Sequence, residues 1–142
     1  MECGAAGTLF NVATTAFKQK EQMSDITAVR YSLAVPDLAR STAYYTSVLG
    51  MEIDFTVPGW TFLSRGSFRV MLGECVDATP ASELGDHSLY GYVTVSDAAV
   101  LYAEFQAAGA EFIQGLADKP WGMREFGVRT IDGHRVMFGQ EL

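Results

Sequence analysis

Two stretches of alternating apolar and polar residues, Thr27–Val35 and Tyr90–Val95, each run into an aspartate and then into a segment with apolar residues three and four apart. In the first stretch Tyr31, Leu33 and Val35 alternate with Ser32 and Ala34, the period of a half-buried strand. In the second, Tyr90, Tyr92 or Val93, and Val95 do the same. Asp37 and Asp97 sit where a helix N-cap belongs, because their carboxylates can accept from the free N–H groups of the first turn. Leu38, Tyr45, Val48 and Leu49 share one face of the first helix, and Leu101, Phe105 and Ala108 one face of the second. Gly50 and Gly109 end the helices at positions that need left-handed backbone. Three strands then follow in each half, over Glu52–Val57, Trp60–Ser64 and Phe68–Gly73, and over Glu111–Gln114, Arg124–Thr130 and His134–Gln140. Arg65-Gly66 and Asp132-Gly133 mark the matching hairpin turns.

The halves are copies of one unit. Val35-Pro36-Asp37-Leu38-Ala39 matches Val95-Ser96-Asp97-Ala98-Ala99 at an offset of 60, and Leu49-Gly50-Met51-Glu52 matches Ala108-Gly109-Ala110-Glu111 at 59. Arg69-Val70-Met71-Leu72-Gly73 matches Arg135-Val136-Met137-Phe138-Gly139 at 66, with four of five residues identical. Three matches in one order establish a repeat. The drift predicts a short insertion in the second half, in the loop around Asp118–Trp121. The fold class is therefore α+β: two βαβββ repeats forming a curved mixed β-sheet around a cleft, with the helices outside. The repeat-bearing domain spans 25–142, with half one at 26–76 and half two at 88–142. Residues 1–24 form an N-terminal extension, whose lysines follow its apolar part and so are ordered wrongly for a signal peptide.

Composition narrows the function. At 142 residues and 19% charged, the chain suits one folded domain. A formal charge of −7 disfavours nucleic acid and anionic membranes and mildly favours a cationic ligand. No apolar run approaches a membrane span. Cys3 and Cys75 form no metal-spaced set and read as free thiols of a cytoplasmic protein. Signatures of a nucleophile beside a base, and of a phosphate-cradling glycine loop, are both missing.

The opening Leu33-x-Val-x-Asp-Leu-x-x-Ser-x-x-Tyr44-Tyr45-x-x-Val-Leu-Gly50 and the closing Asp132-Gly133-x-x-x-x-Phe resemble the vicinal oxygen chelate superfamily, which includes glyoxalase I, extradiol dioxygenases and bleomycin-binding resistance proteins. The resemblance runs from about Ile26 to Leu142. Pro58-Gly59-Trp60-Thr61-Phe62-Leu63-Ser64-Arg65-Gly66, Trp121-Gly122-Met123-Arg124-Glu125-Phe126 and Phe138-Gly139-Gln140 look nearest to the bleomycin-binding branch.

The resemblance implies four metal-ligand positions, two per half: one early in the first strand and one in the last strand. They fall on Arg30, Met71, Tyr90 and Met137, and the repeat pairs Arg30 with Tyr90 and Met71 with Met137. None suits a hard divalent ion. Arginine is a permanent cation, thioethers are soft, and one neutral tyrosine holds no labile metal. Glu74 lies on the opposite strand face from Met71, and His87 and His134 are expected at the surface. The expected metal set and cofactor set are therefore empty, as is the set of catalytic residues.

What remains is a lining. Met71, Met137, Tyr90 and Arg30, with Trp60, Phe62, Phe68 and Trp121, are the candidate ligand contacts. Trp60 and Trp121 lead because they stand at loop boundaries beside Pro58-Gly59 and Pro120. Such a lining suits flat, apolar or cationic organic molecules. Glu125 and Asp54 could border the cleft, although lone carboxylates there are usually solvated or salt-bridged. The reading is a small-molecule binder, with a sequestered antibiotic as its sharpest form. A glyoxalase- or dioxygenase-type enzyme with a non-standard site, and a ligand sensor, are the alternatives. The resemblance also implies a homodimer whose clefts are shared between chains.

Overall fold

A computed structural model describes residues 23–142. Most of the N-terminal extension lies outside the described residues. The elements of half one are β1 (Tyr31–Val35), α1 (Leu38–Ser47), β2 (Glu52–Val57), β3 (Trp60–Arg65) and β4 (Phe68–Glu74). Those of half two are β5 (Leu89–Thr94), α2 (Ala98–Ala107), β6 (Glu111–Asp118), β7 (Met123–Arg129) and β8 (Arg135–Glu141). Two short 3₁₀ turns, Ala81–Glu83 and Gly85–Ser88, join the halves. The two βαβββ units are thus present. Their strands form two four-stranded sheets, ordered β1-β4-β3-β2 and β5-β8-β7-β6. In each sheet the first strand lies parallel to the last and the other pairs are antiparallel.

The bounds of β1 and β6 depart from the sequence reading by several residues, and those of the other strands by one at most. β1 begins at Tyr31, not Thr27; Ile26 and Val29 before it are largely exposed. The Arg30 side chain, not a further strand residue, donates to the Val70 carbonyl. β6 continues to Asp118 and absorbs extra length through register shifts at Phe112/Gln114 and Gln114/Ala117. The insertion of the second half therefore lies partly in this strand as bulges and only partly in the loop after it.

Asp37 accepts from the Arg40 N–H at 3.0 Å and Asp97 from the Val100 N–H at 3.0 Å. The repeat supplies each helix with a second acceptor from the last strand: Glu74 Oε2 takes the Leu38 N–H, and Gln140 Oε1 takes the Ala98 N–H, both at 3.0 Å. The first turns of both helices are thereby satisfied from two sides.

One apolar core serves both halves. Leu33, Val35, Tyr45, Leu49, Leu63, Val70 and Leu72 from the first merge with Phe105, Phe126, Val128, Val136 and Phe138 from the second. Phe126 stacks on Phe138 at 5.3 Å, and Phe105 meets both edge-on. Each buried ring of this size stabilises the fold by about 2–3 kcal/mol. The closing hairpins cross over. Arg65 forks onto Glu104 of α2 at 2.6 and 3.0 Å and also donates to the Leu49 carbonyl after α1. In return Asp132, in the turn between β7 and β8, accepts from Ser41 of α1 at 2.6 Å and from Arg40 at 3.3 Å. Gly133 must be glycine in that turn: its φ is +92°, and a Cβ there would lie 2.6 Å from the Ser82 backbone.

Candidate functional site: two open sheet faces

Each sheet turns one face to the core and leaves the other open. In sheet one, Leu33, Val35, Leu63, Val70 and Leu72 are buried, so by strand alternation Ser32, Trp60, Phe62, Ser64 and Met71 take the opposite face. Phe62 is paired across the strands with Met71, and Trp60 with Gly73. A Cβ at Gly73 would lie 2.6 Å from the Trp60 ring, so the indole rests on the bare backbone of β4. Phe55 of β2 stacks on Phe62 with centroids 4.2 Å apart and planes 16° apart. The result is an apolar wall of three aromatic rings and a thioether.

Arg30 closes one end of this wall. Its guanidinium lies 5.4 Å from the Phe62 ring centre and 6.0 Å from that of Phe55. It donates to Asp54 Oδ2 at 2.7 Å and to the carbonyls of Leu63 and Val70 at 3.1 and 3.2 Å. Ser64 donates to the other Asp54 oxygen at 2.7 Å. The Ser64 hydroxyl, and then Arg30, hold the Asp54 carboxyl below the usual carboxylate range. A fixed cation thus occupies the edge where the superfamily resemblance would set a metal ligand.

Sheet two has the same geometry with different chemistry. Phe126, Val128, Val136 and Phe138 face the core, leaving Glu125, Gly127 and Met137 on the other side. Glu125 pairs with Gly139 and Gly127 with Met137, so Glu125 takes the place of Trp60 and Gly127 that of Phe62. Tyr92 of β5 crosses the bare backbone of Gly139, where an added Cβ would collide with its phenol. Its hydroxyl donates to Glu125 Oε2 at 2.7 Å. Trp121 Nε1 donates to the same oxygen at 3.4 Å. Burial, then the neighbouring carboxylate, raises the Tyr92 pKa to about 12, so the phenol stays a donor at neutral pH. Glu125 itself is 5% exposed.

The predicted residues are therefore distributed as follows. Arg30, Trp60, Phe62 and Met71 share the open face of sheet one. Met137 lies on the open face of sheet two, and Trp121, 64% exposed, stands at its margin. Tyr90 and Phe68 point elsewhere. The register of β5 against β8 slips between Leu89 and Gly91, and this bulge turns Tyr90 inward. Its ring packs against Tyr31 at 5.5 Å and Phe68 at 6.5 Å, and its hydroxyl meets that of Tyr45 at 3.1 Å. Burial pushes the Tyr90 phenol well above its ordinary pKa. Phe68 is buried between the halves, 6.0 Å from Phe138. A groove of about 600 Å³ between the halves touches Phe68 but none of the other predicted contacts; Tyr92, which is not among them, also lines it.

His134 also departs from expectation. It is buried, with its ring 6.0 Å from Tyr90 and its Nδ1 without a partner. The tight turn that bonds the Thr130 N–H to the His134 carbonyl tucks it in. His87 is exposed, and Glu74 caps α1. Sequence reasoning missed Phe55 and Tyr92 as members of the open faces. No glycine stands opposite either of them: Phe55 pairs with Phe62 after a register shift in β2, and Tyr92 pairs with Met137 after one in β5, and neither shift is visible in the alternation of the sequence. Among the described residues no group of three or more His, Cys, Asp or Glu is placed to share a metal ion. The donors at the four superfamily positions do not fit one either: a clamped guanidinium, two thioethers and an inward phenol.

A sequence model of the Glyoxalase/Bleomycin resistance protein/Dioxygenase superfamily matches residues 27–138. No curated protein matches the chain in sequence. Among solved structures, TioX from Micromonospora sp. ML1 is 29% identical, with 82% of this chain and 100% of that one covered at a TM-score of 0.69. The bleomycin-binding protein from bleomycin-producing Streptomyces verticillus, complexed with copper(II)-bleomycin, is 22% identical, covering 82% and 97% at a TM-score of 0.65. TnmS3, an antibiotic binding protein from Streptomyces sp. CB03234, is 19% identical, covering 85% and 100% at 0.70. The last two likenesses are likenesses of fold.

Proposed function

Because the chain belongs to the Glyoxalase/Bleomycin resistance protein/Dioxygenase superfamily, we propose that it is a metal-independent small-molecule-binding protein of the cytoplasm that sequesters a bleomycin-like or other aromatic, cationic antibiotic. The observation that carries this reading is the clamped Arg30. A guanidinium bonded to Asp54 at 2.7 Å and lying beside the stacked pair of Phe55 and Phe62 repels a divalent ion and leaves a flat aromatic wall next to it. Sequestration requires affinity and no chemistry, and the wall of Phe55, Trp60, Phe62 and Met71 offers affinity to a planar molecule. That a Streptomyces verticillus protein of this fold binds bleomycin, and that TnmS3 binds an antibiotic, supports the same class of ligand.

The ligand contacts we assign are Arg30, Trp60, Phe62 and Met71 on one sheet, and Met137 and Trp121 on the other. Since the two faces belong to separate sheets of one chain, the working cleft is formed in a homodimer. There the second half of one chain covers the first half of its partner. Both tryptophans of the sequence lie on these faces, so binding is readable in intrinsic fluorescence. Titration with bleomycin and copper(II)-bleomycin is expected to quench it saturably, and expression in sensitive bacteria to raise the drug concentration they survive. No quenching together with no protection overturns the drug reading. Light scattering is expected to give twice the mass of one chain at micromolar concentration; a monomer overturns the shared cleft.

A further inference from the structure

We infer that Glu125, held by Tyr92 and Trp121 on the open face of sheet two, is the anchor for a protonated nitrogen of the bound molecule. This deepens the small-molecule reading above and rests on it. A carboxylate so nearly withdrawn from water ordinarily has a cation beside it, because burying an unpaired charge is costly. Glu125 has none within ion-pair distance among the described residues. Its immediate neighbour Arg124 is committed to Asp118, with bonds of 2.6 and 3.0 Å. Lys119 lies 5.9 Å from the Trp121 ring centre, over the ring and not paired with the carboxylate. The two donors that do reach Glu125 are neutral, and both fall on Oε2. Oε1 has no protein donor among the described bonds, although it is not a fully buried orphan.

The surroundings suit an organic cation in particular. A phenol and an indole hold the carboxylate by their O–H and N–H edges, so the groups around it are apolar rings and neutral donors that add no competing charge. The thioether of Met137 lines the same face. The repeat sharpens the point. The equivalent position in sheet one is Trp60, which rests flat on its glycine and carries no charge. Here the glycine is kept, Tyr92 uses the space above it, and a carboxylate replaces the indole. One repeat thus presents a flat apolar surface and the other a charged acceptor, a pairing that fits a molecule with a planar ring system and a basic amine.

The test compares a planar cation, proflavine, with acridone, a neutral ring system of similar size, by fluorescence titration of the full chain. Wild-type protein is expected to bind proflavine at least tenfold more tightly than acridone. Glu125→Gln, which can still accept from Tyr92, is expected to remove that preference and leave acridone affinity unchanged. Tyr92→Phe, which keeps the charge and removes its strongest donor, is expected to retain the preference. Equal affinity for the two probes in wild type, or a preference unaltered in Glu125→Gln, overturns the assignment of Glu125 and leaves the small-molecule reading standing. Failure of both probes to bind the wild type overturns both.

Discussion

At the scale of single residues, the open faces depend on places where a side chain is missing. Gly73 and Gly139 occupy equivalent positions in the two last strands, and each lets an aromatic ring cross the sheet at contact distance. The sequence repeat contains both glycines but does not say what lies on them. Nor does it foretell that the bulge between Leu89 and Gly91 sends Tyr90 to the core and leaves Tyr92 on the open side. A period-two reading assigns faces by counting, and one extra residue inverts the count. Gly139→Ala is the direct probe. The new methyl displaces the Tyr92 phenol and breaks its bond to Glu125. The expected cost is about 1.5 kcal/mol, the low end for a hydrogen bond to a charged group, since the donor Tyr92 is itself exposed although Glu125 is buried. Ultraviolet titration is expected to show one tyrosine moving down from about 12 toward the ordinary phenol range. A titration curve identical to that of wild type contradicts the arrangement.

At the scale of elements, the sequence was most informative where a local rule and the repeat agreed. Asp37 and Asp97 were legible as N-caps, and Gly50 and Gly109 as stops, because capping and positive φ are properties of a few adjacent residues. The second acceptor was not legible. Glu74 and Gln140 reach their helices from strands 36 and 42 residues away, and only the closed βαβββ unit brings them there. Removing one of two acceptors leaves the other in place. Asp37→Ala and Asp97→Ala are therefore each expected to cost about 1 kcal/mol, near the middle of the range for cap loss. Asp37→Ala combined with Glu74→Ala is expected to cost more than the two single changes added, since the first turn of α1 then has neither acceptor. Urea denaturation of the three variants measures this; strict additivity contradicts a shared role.

At the scale of the whole molecule, the halves are held together by what each lends the other. Arg65 reaches α2 from half one, and Asp132 reaches α1 from half two. Between them lies a buried polar seam of Tyr45, Tyr90 and His134. Sequence reading set His134 at the surface because it stands beside a turn, and turns are usually wet. The seam exists only because the opposite half packs over that turn. This has a consequence for acid stability. Burial lowers the His134 pKa below 6.5, and the nearby Asp132 opposes that shift only in part. The folded protein therefore keeps the ring neutral at a pH where the unfolded chain protonates it. Protons then favour unfolding. The contribution of the neutral ring is complete above about pH 6.5 and is lost as the pH falls through the folded-state pKa. Asp54, Glu104 and Asp118 act at lower pH, since Ser64 with Arg30, Arg65 and Arg124 respectively hold their carboxyls below the ordinary range. The interval from about pH 7 to about pH 5 thus belongs chiefly to His134. His134→Gln, which cannot titrate, is expected to flatten the decline of unfolding free energy across that interval. Denaturant unfolding at matched ionic strength measures the slope. A decline as steep in His134→Gln as in wild type would mean that the seam does not set the acid limit of the fold.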